Sequence, residues 1–270
     1  MRLPAVAGIF YEGSAPGLRS QLEECFAANS PAPAKKEPFL GAVVPHAGLM
    51  YSGHVAAAFY AMADLPRRLI ILCPNHTGAG HNAAVGRAGA WRTPLGDVVV
   101  DGALSAALMQ AAPRLRHDDA AHAREHSLEV QLPFLQHLLG SFTFVPICLG
   151  APRYEMCEEI GKAIAEVISA SGERIGILAS SDLNHYENQK ATLRKDQMAI
   201  DAVLAREPET LWQVVEENDV SMCGYIPATT MLVAANALGA SQARLIKHAT
   251  SGDVSGDYER VVGYASLVVE

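Results

Sequence analysis

Short apolar stretches alternate with amphipathic segments along most of this chain. A first helix is predicted over residues 18–28, and a Pro- and Ala-containing connector over 29–38. Beyond it, continuous apolar stretches bounded by Gly, Pro or charged residues predict buried strands. The predicted strands are GAVVP (41–45), RRLIILCP (67–74), FTFVPICLG (142–150), ERIGILASSDL (173–183), ARLIKHAT (243–250) and ERVVGYASLVV (259–269), with short β-like pieces around 91–101.

Segments with helical periodicity separate these strands. The predicted helices cover residues 53–63, 102–112, 127–139 (with Pro133 at its start or at a kink), 153–171, 189–217 and 226–239. Apolar strands between amphipathic helices are typical of a sheet that is covered on both faces. We therefore predict an α/β fold over residues 1–270, a single three-layer α/β/α sandwich with a mostly parallel or mixed central sheet.

Composition narrows the range of functions. The chain has 270 residues, half of them apolar, and a net charge of −8 with no cluster of basic residues. Nucleic acid and anionic membranes are therefore not expected as partners, because both require a concentrated positive surface. No apolar stretch is long enough to span a bilayer. Five cysteines without CxxC spacing argue against a disulfide framework and predict buried thiols in a reducing cytoplasm.

Four of the predicted strands run directly into a histidine. GAVVP is followed by His46, RRLIILCP by Asn75 and His76, RIGILASS by Asp182, Asn184 and His185, and RLIK by His248. Open α/β sheets bind ligands beyond the carboxyl ends of their strands, so these residues are candidates for one site. Other histidines are interpreted as surface or packing residues, namely His54, His81, His117, His122 and His137.

Histidine suits such a site in two ways, as a metal ligand and as a general base near neutral pH. Two histidines and one anionic ligand would leave open positions on a metal, as in catalytic zinc sites and non-haem iron oxygenases. Spacing leaves the anionic ligand open, and the candidates are Asp182, Glu125 and Cys223. No phosphate-binding loop, dinucleotide fingerprint or nucleophile elbow is present.

Each candidate also has an ordinary structural interpretation. His46 and His76 could be turn or loop residues, Asp182 a helix cap, Cys223 a small buried apolar residue, and His126 and Glu129 residues of a helix start.

Five motifs in this order resemble the Memo family, whose prokaryotic members are called AmmeMemoRadiSam system protein B. They are PHAGLMYSG (45–53), CPNH (73–76), EHSLEVQLPFL (125–135), SSDLNHY (180–186) and MCGYIP (222–227). The opening PAVAGIFYEG and the late SGDVSGD are also similar to that family, so the resemblance covers nearly the whole chain.

The resemblance implies a fold like that of class III extradiol dioxygenases and a metal on His46, His76 and Cys223. It places His185 and Asp182 beside the metal as acid/base or supporting groups, and His126 in the same pocket. Iron(II) is the first expected cofactor, with copper or zinc as alternatives. It also implies a small-molecule substrate and an association with AMMECR-type and radical-SAM proteins.

With Cys223 in a ligand position, three functional hypotheses are open. A thiolate softens the site relative to a carboxylate and favours copper(I) or zinc, so a dioxygenase fold alone does not establish dioxygenase activity. The first hypothesis is a metal-dependent redox enzyme with His185 as general base. The second is a non-catalytic module that binds a peptide or small anion in the same cleft, and the third is a zinc hydrolase or lyase.

Overall fold

A computed structural model describes residues 1–29, 31, 35–150 and 153–270. The predicted connector over 29–38 lies in part outside the described residues. The strands are β1 Gly41–Val44, β2 Arg68–Pro74, β3 Ala83–Val85, β4 Ala90–Thr93, β5 Gly96–Val100, β6 Arg116–His117, β7 Thr143–Leu149, β8 Gly176–Ser180, β9 His185–Glu187, β10 Ala243–Thr250 and β11 Val261–Val269.

Helices connect most of these strands. They are α1 Ala15–Ala27, α2 Leu49–Met62, α3 Gly102–Ala111, α4 Ala120–Ala123, α5 Gln131–Leu139, α6 Tyr154–Ser171, α7 Gln189–Ala205, α8 Pro208–Glu217, α9 Tyr225–Ala237 and α10 Gly252–Ser255. Among the described residues, no helix is both long and apolar enough to cross a bilayer.

The central sheet is mixed, in the order β10-β11-β1-β8-β2-β7-β3-β6. Its middle strands β1, β8, β2 and β7 run parallel, while β11 and β3 pair antiparallel with the neighbouring middle strand. Successive side chains of a strand point to opposite faces. Val43 accordingly belongs to the core beneath α6 and α9, whereas Ala42 and Val44 belong to the core beneath α1 and α2. The predicted three-layer α/β/α fold is confirmed.

One predicted helix was wrong in its extent. The segment 189–217 forms two helices, since α7 ends at Ala205 and α8 begins at Pro208. Arg206 adopts the left-handed conformation with φ +58° and turns the chain. Proline lacks an N–H and fits the first position of a new helix, so the break falls at Pro208. The other predicted helices and strands are present, with ends shifted by a few residues.

Glycine is required where α6 packs on α9. A Cβ added at Gly161 would lie 2.7 Å from the Val233 side chain and 2.8 Å from the Thr230 carbonyl oxygen. We expect Gly161→Ala to lower the free energy of unfolding by about 1–3 kcal/mol, because a close-packed interface cannot accept the methyl group without shifting. Urea unfolding measures the change. Gly48→Ala is the matched control, since Gly48 has φ −51° and only ordinary contacts, and equal losses in both variants would contradict the packing argument.

His122 links stability to pH. It is 2% exposed and packs edge-on against Trp91 at 5.5 Å. Burial lowers the pKa of His122 from 6.5 to about 4. The unfolded chain therefore takes up a proton at higher pH than the folded one, so stability is full above about pH 6.5 and falls as pH drops towards 4.

We expect His122→Gln to flatten this pH dependence by on the order of 3 kcal/mol between pH 6.5 and 4, because the titrating group is gone. Urea unfolding at several pH values measures it. Replacement of the exposed His117 by Gln should leave the slope unchanged. Identical slopes in the His122 variant and the unmodified protein would show that His122 does not contribute.

Candidate metal centre

Three adjacent parallel strands end at one place in the sheet. His46 follows β1, His76 follows β2, and Asp182 follows β8, which lies between them. His185 opens β9 shortly afterwards, and Cys223 arrives from the loop between α8 and α9. The structure thus gathers at the carboxyl edge of the sheet all these predicted site residues, which are separated by up to 177 positions in the sequence.

A serine hydroxyl determines which nitrogen of His46 carries the proton. His46 Nδ1 lies 3.0 Å from Ser180 Oγ. That hydroxyl donates its only proton to the Ser127 carbonyl oxygen at 2.7 Å, and it accepts from Gln131 Nε2 at 2.8 Å. His46 Nδ1 must therefore be the donor to Ser180, which leaves the Nε2 lone pair free to bind a ligand. Burial also lowers the pKa of His46 well below its usual value, which keeps the ring neutral.

The buried carboxylate of Glu125 likewise determines which nitrogen of His76 carries the proton. Glu125 Oε1 lies 2.9 Å from His76 Nδ1, and Oε2 accepts the His76 backbone N–H at 2.6 Å. Ser127 adds a backbone and a hydroxyl hydrogen bond to Oε1. Burial alone would raise the pKa of Glu125, but the hydrogen bonds from His76 and Ser127 outweigh it and hold the pKa at about 2. The ionised carboxylate requires a proton on His76 Nδ1, so Nε2 is the nitrogen through which His76 could bind a metal.

His185 and His126 complete the group of imidazoles. His185 Nδ1 lies 2.8 Å from the Ser221 carbonyl oxygen, which can only accept, so Nδ1 carries the proton there as well. The His126 ring stacks on His76 at 4.8 Å and meets His46 edge-on at 5.5 Å. Burial lowers the pKa of His126, so it too favours the neutral form.

Cys223 is the third residue of the group, close to His46 and His76. Its Sγ lies 3.4 Å from His46 Nε2, and the ligand atoms of His46, His76 and Cys223 are all within 4.8 Å of one another. Sulfur and nitrogen ligands of a tetrahedral zinc ion would be about 3.6 Å apart, from bond lengths of about 2.3 and 2.1 Å. The observed separation is therefore close to that needed by a small cation.

Asp182 connects the backbone of His46 to the sulfur of Cys223 through hydrogen bonds. Its Oδ1 accepts the backbone N–H groups of His46 at 2.8 Å and Ala47 at 3.3 Å, and its own N–H donates to Cys223 Sγ at 3.3 Å. No helix follows Asp182, so the alternative interpretation as a helix cap was wrong. Burial raises the pKa of both Asp182 and Cys223, and the Asp182 charge raises that of the thiol further.

Gly224, directly after Cys223, allows the loop that carries Cys223 to pack closely against the end of β8. A Cβ on Gly224 would meet the Ser180 carbonyl oxygen at 2.4 Å and the Ser181 Cβ at 2.5 Å. The loop that carries Cys223 can therefore pack directly on the end of β8 only without a side chain at this position.

A second possible ligand group shares His76 with the first and adds Glu125 and His126. The hydrogen bonds of Glu125 argue against it, because both carboxylate oxygens are already directed at His76 and Ser127. Of the three anionic candidates, Cys223 is the one whose ligand atom groups with those of both His46 and His76, while Glu125 orients His76.

The comparisons with known proteins agree with the motifs. The family model for Memo-like proteins matches residues 2–268. A MEMO1 family protein of Methanopyrus kandleri is 43% identical, with 99% of this chain and 98% of the relative covered. MEMO1 family proteins of Sulfolobus acidocaldarius, 44% identical (99% and 98% covered), and Methanosarcina mazei, 43% identical (100% and 99% covered), are similar over the same extent. The chain belongs to the Memo family.

In this Memo protein the ligand atoms open into a cleft of about 750 Å³. All six predicted site residues line it or support it: His46, His76, His126, Asp182, His185 and Cys223. His248 does not. It lies inside β10 rather than at its end, and its Nε2 contacts the buried Asp196 at 2.8 Å, so the prediction that it ends a strand was wrong.

The N-terminal segment forms one wall of the cleft, which the local sequence pattern does not indicate. Phe10 packs edge-on against His126 at 4.7 Å. The fully buried Glu129 holds the segment, because it accepts hydrogen bonds from the Arg2 and Tyr11 side chains and from the backbone of residues 5 and 6. Glu129 lies in the turn directly before α5, as expected for a helix start, but its carboxylate binds the N-terminal segment.

We expect Glu125→Gln to weaken the binding of divalent cations by about 10- to 100-fold, because an amide cannot orient and polarise His76 as the carboxylate does. Competition with a chromophoric chelator measures the affinity. Glu158→Gln, at a partly exposed pair with Lys162, should leave it unchanged. Equal affinities in both variants would show that Glu125 has no part in cation binding.

Proposed function

We propose that this Memo protein binds a metal ion on His46, His76 and Cys223 and works as a metal-dependent redox enzyme on a small substrate. One observation carries the proposal. Hydrogen bonds engage Nδ1 of both histidines, His46 Nε2 lies 3.4 Å from the Cys223 sulfur, and the ligand atoms of all three residues lie within 4.8 Å of one another in an open cleft.

The residues present fit a cation. Neutral imidazole is the form of histidine that binds metals, and burial favours that form for His46. Burial raises the pKa of Cys223, so the thiol stays protonated until a cation stabilises the thiolate. Three protein ligands leave a coordination position for a substrate or water, which is the feature that separates catalytic from structural metal sites.

Around the metal, this chain's own side chains would move protons and orient the reactants. A bound iron(II) or copper ion would supply electron transfer and a coordination position for oxygen or substrate. His185 presents its free Nε2 to the cleft and would accept a proton, with Nδ1 anchored on Ser221. Asp182 fixes the backbone of His46, and His126 lines the cleft next to Phe10.

Iron(II) is our first choice of metal, with copper and zinc as alternatives. The two-histidine, one-thiolate set also suits zinc, and zinc-activated water would make the protein a hydrolase or lyase. A cytoplasmic location and cooperation with AMMECR-type and radical-SAM proteins remain part of the proposal. The five free thiols, four of them buried, are in keeping with a reducing compartment.

Metal analysis of protein purified without oxygen tests the site. We expect stoichiometric metal in the unmodified protein and its loss in His46→Ala and Cys223→Ala, because each removes one of three ligands. His117→Ala, at an exposed histidine, is the control. Circular dichroism verifies that the variants remain folded.

Three outcomes would contradict the proposal. Unchanged metal content in both ligand variants would exclude this site. Metal that persists in Cys223→Ala but disappears in Glu125→Gln and His126→Ala would assign the ion to the alternative group. Stoichiometric zinc with oxygen-independent turnover would replace the redox function by the hydrolytic one.

A further inference from the structure

The cleft has one permanently charged cation at its mouth. Among the described residues that line it, Arg260 is the one lysine or arginine. Arg260 is exposed, and its Cζ lies 5.8 Å from the centre of the Tyr186 ring. In the part of the chain that the structure describes, no carboxylate lies within 4 Å of its guanidinium, so its five donors are free for a ligand.

The tyrosine beneath Arg260 has an unusual backbone conformation. Tyr186 has φ +60°, a left-handed conformation that residues other than glycine rarely adopt. It follows His185, whose backbone N–H donates to Ser221 Oγ at 2.7 Å. The ring centres of His185 and Tyr186 are 5.7 Å apart, so His185, Tyr186 and Arg260 are neighbours in the lining of the cleft.

Exposed apolar side chains line the same cleft as Arg260. Ile9, Met50 and Tyr186 are 76%, 64% and 64% exposed, among the most exposed large apolar residues of the chain, and all three line the cleft. Such exposed apolar groups around a concave site mark a surface that a ligand covers. The wall therefore favours an apolar or aromatic body, and Arg260 favours a negative charge at one end of it.

We propose that Arg260 determines substrate specificity and that the substrate is a small organic acid, with an apolar or aromatic body and a carboxylate paired with Arg260. Guanidinium binds carboxylate through two parallel hydrogen bonds. A single arginine suits a carboxylate better than a phosphate, since phosphate sites gather several arginines. The inference rests on the proposed function, because it assigns the cleft to a substrate.

One acidic residue also lines the cleft near Arg260. Asp257 accepts the Glu259 backbone N–H through Oδ1 at 2.9 Å. That hydrogen bond directs the carboxylate to its own loop, and the guanidinium carbon lies over the Tyr186 ring instead. The acid group of a ligand would therefore meet the arginine on the apolar side of the cleft.

Calorimetric titration with a matched pair of probes tests the proposal. The probes are 3-phenylpropionate and its neutral amide, 3-phenylpropionamide. We expect the unmodified protein, loaded with redox-inactive zinc, to bind the acid about tenfold more tightly than the amide at low salt. The preference should shrink as salt screens the pair.

Variants at position 260 locate the preference. Arg260→Gln should bring the acid down to the level of the amide and leave amide binding unchanged. Arg260→Lys should keep part of the preference, because lysine retains the charge without the planar fork. Arg19→Gln, at an exposed position on α1, should behave like the unmodified protein.

The same titrations on metal-free protein separate Arg260 from a direct carboxylate–metal bond. A preference that persists without metal and disappears in Arg260→Gln supports the proposal. A preference that survives Arg260→Gln, or one that requires the metal, overturns it, as does equal binding of acid and amide to the unmodified protein. Metal content is measured on each sample, so failure of metal binding is distinguished from failure of anion recognition.

Discussion

The single proton of the Ser180 hydroxyl is the constraint on which the site depends. It goes to the Ser127 carbonyl oxygen, so Ser180 can only accept from His46 and Gln131. Tyr60, in the core, in turn donates to Gln131 Oε1 at 2.8 Å. A buried polar network of this kind is stable only when every member is satisfied. The tautomer of His46 is therefore determined by the packing of the core.

The fold makes such a network possible because the loops that carry the ligands lead directly into rigid helices. His46 precedes α2 and Cys223 precedes α9, and both helices are apolar on almost every side. A helix that is apolar all round must be buried, so its start is fixed by the layers that cover it. The two ligand loops thus end on elements that cannot move without opening the core. Precise placement of ligands on rigid elements is what a metal site requires.

The sequence predicts a site residue only where the pattern that marks it lies close by in the chain. His46, His76 and His185 were found because each follows an apolar strand within a few residues. His248 follows the apolar stretch RLIK but does not end the strand, because it pairs with Ala265 of β11 and β10 continues to Thr250. Ser180, Gln131 and Arg260 gave no signal, since their roles arise from partners up to 134 positions away or from the shape of the cleft. Glu129 likewise became meaningful only when Arg2 and Tyr11 packed on it.

The charges already in the site give a reason for a thiol as third ligand. Glu125 is ionised and buried, and Asp182 is buried within 3.9 Å of His46 Nε2. A third carboxylate at position 223 would place another negative charge in the same low-dielectric space, where repulsion and desolvation both oppose ionisation. A thiol with a raised pKa stays neutral instead and ionises only as a cation arrives. On this argument, Cys223 allows the empty site to fold without excess negative charge and still to offer an anionic ligand to the metal.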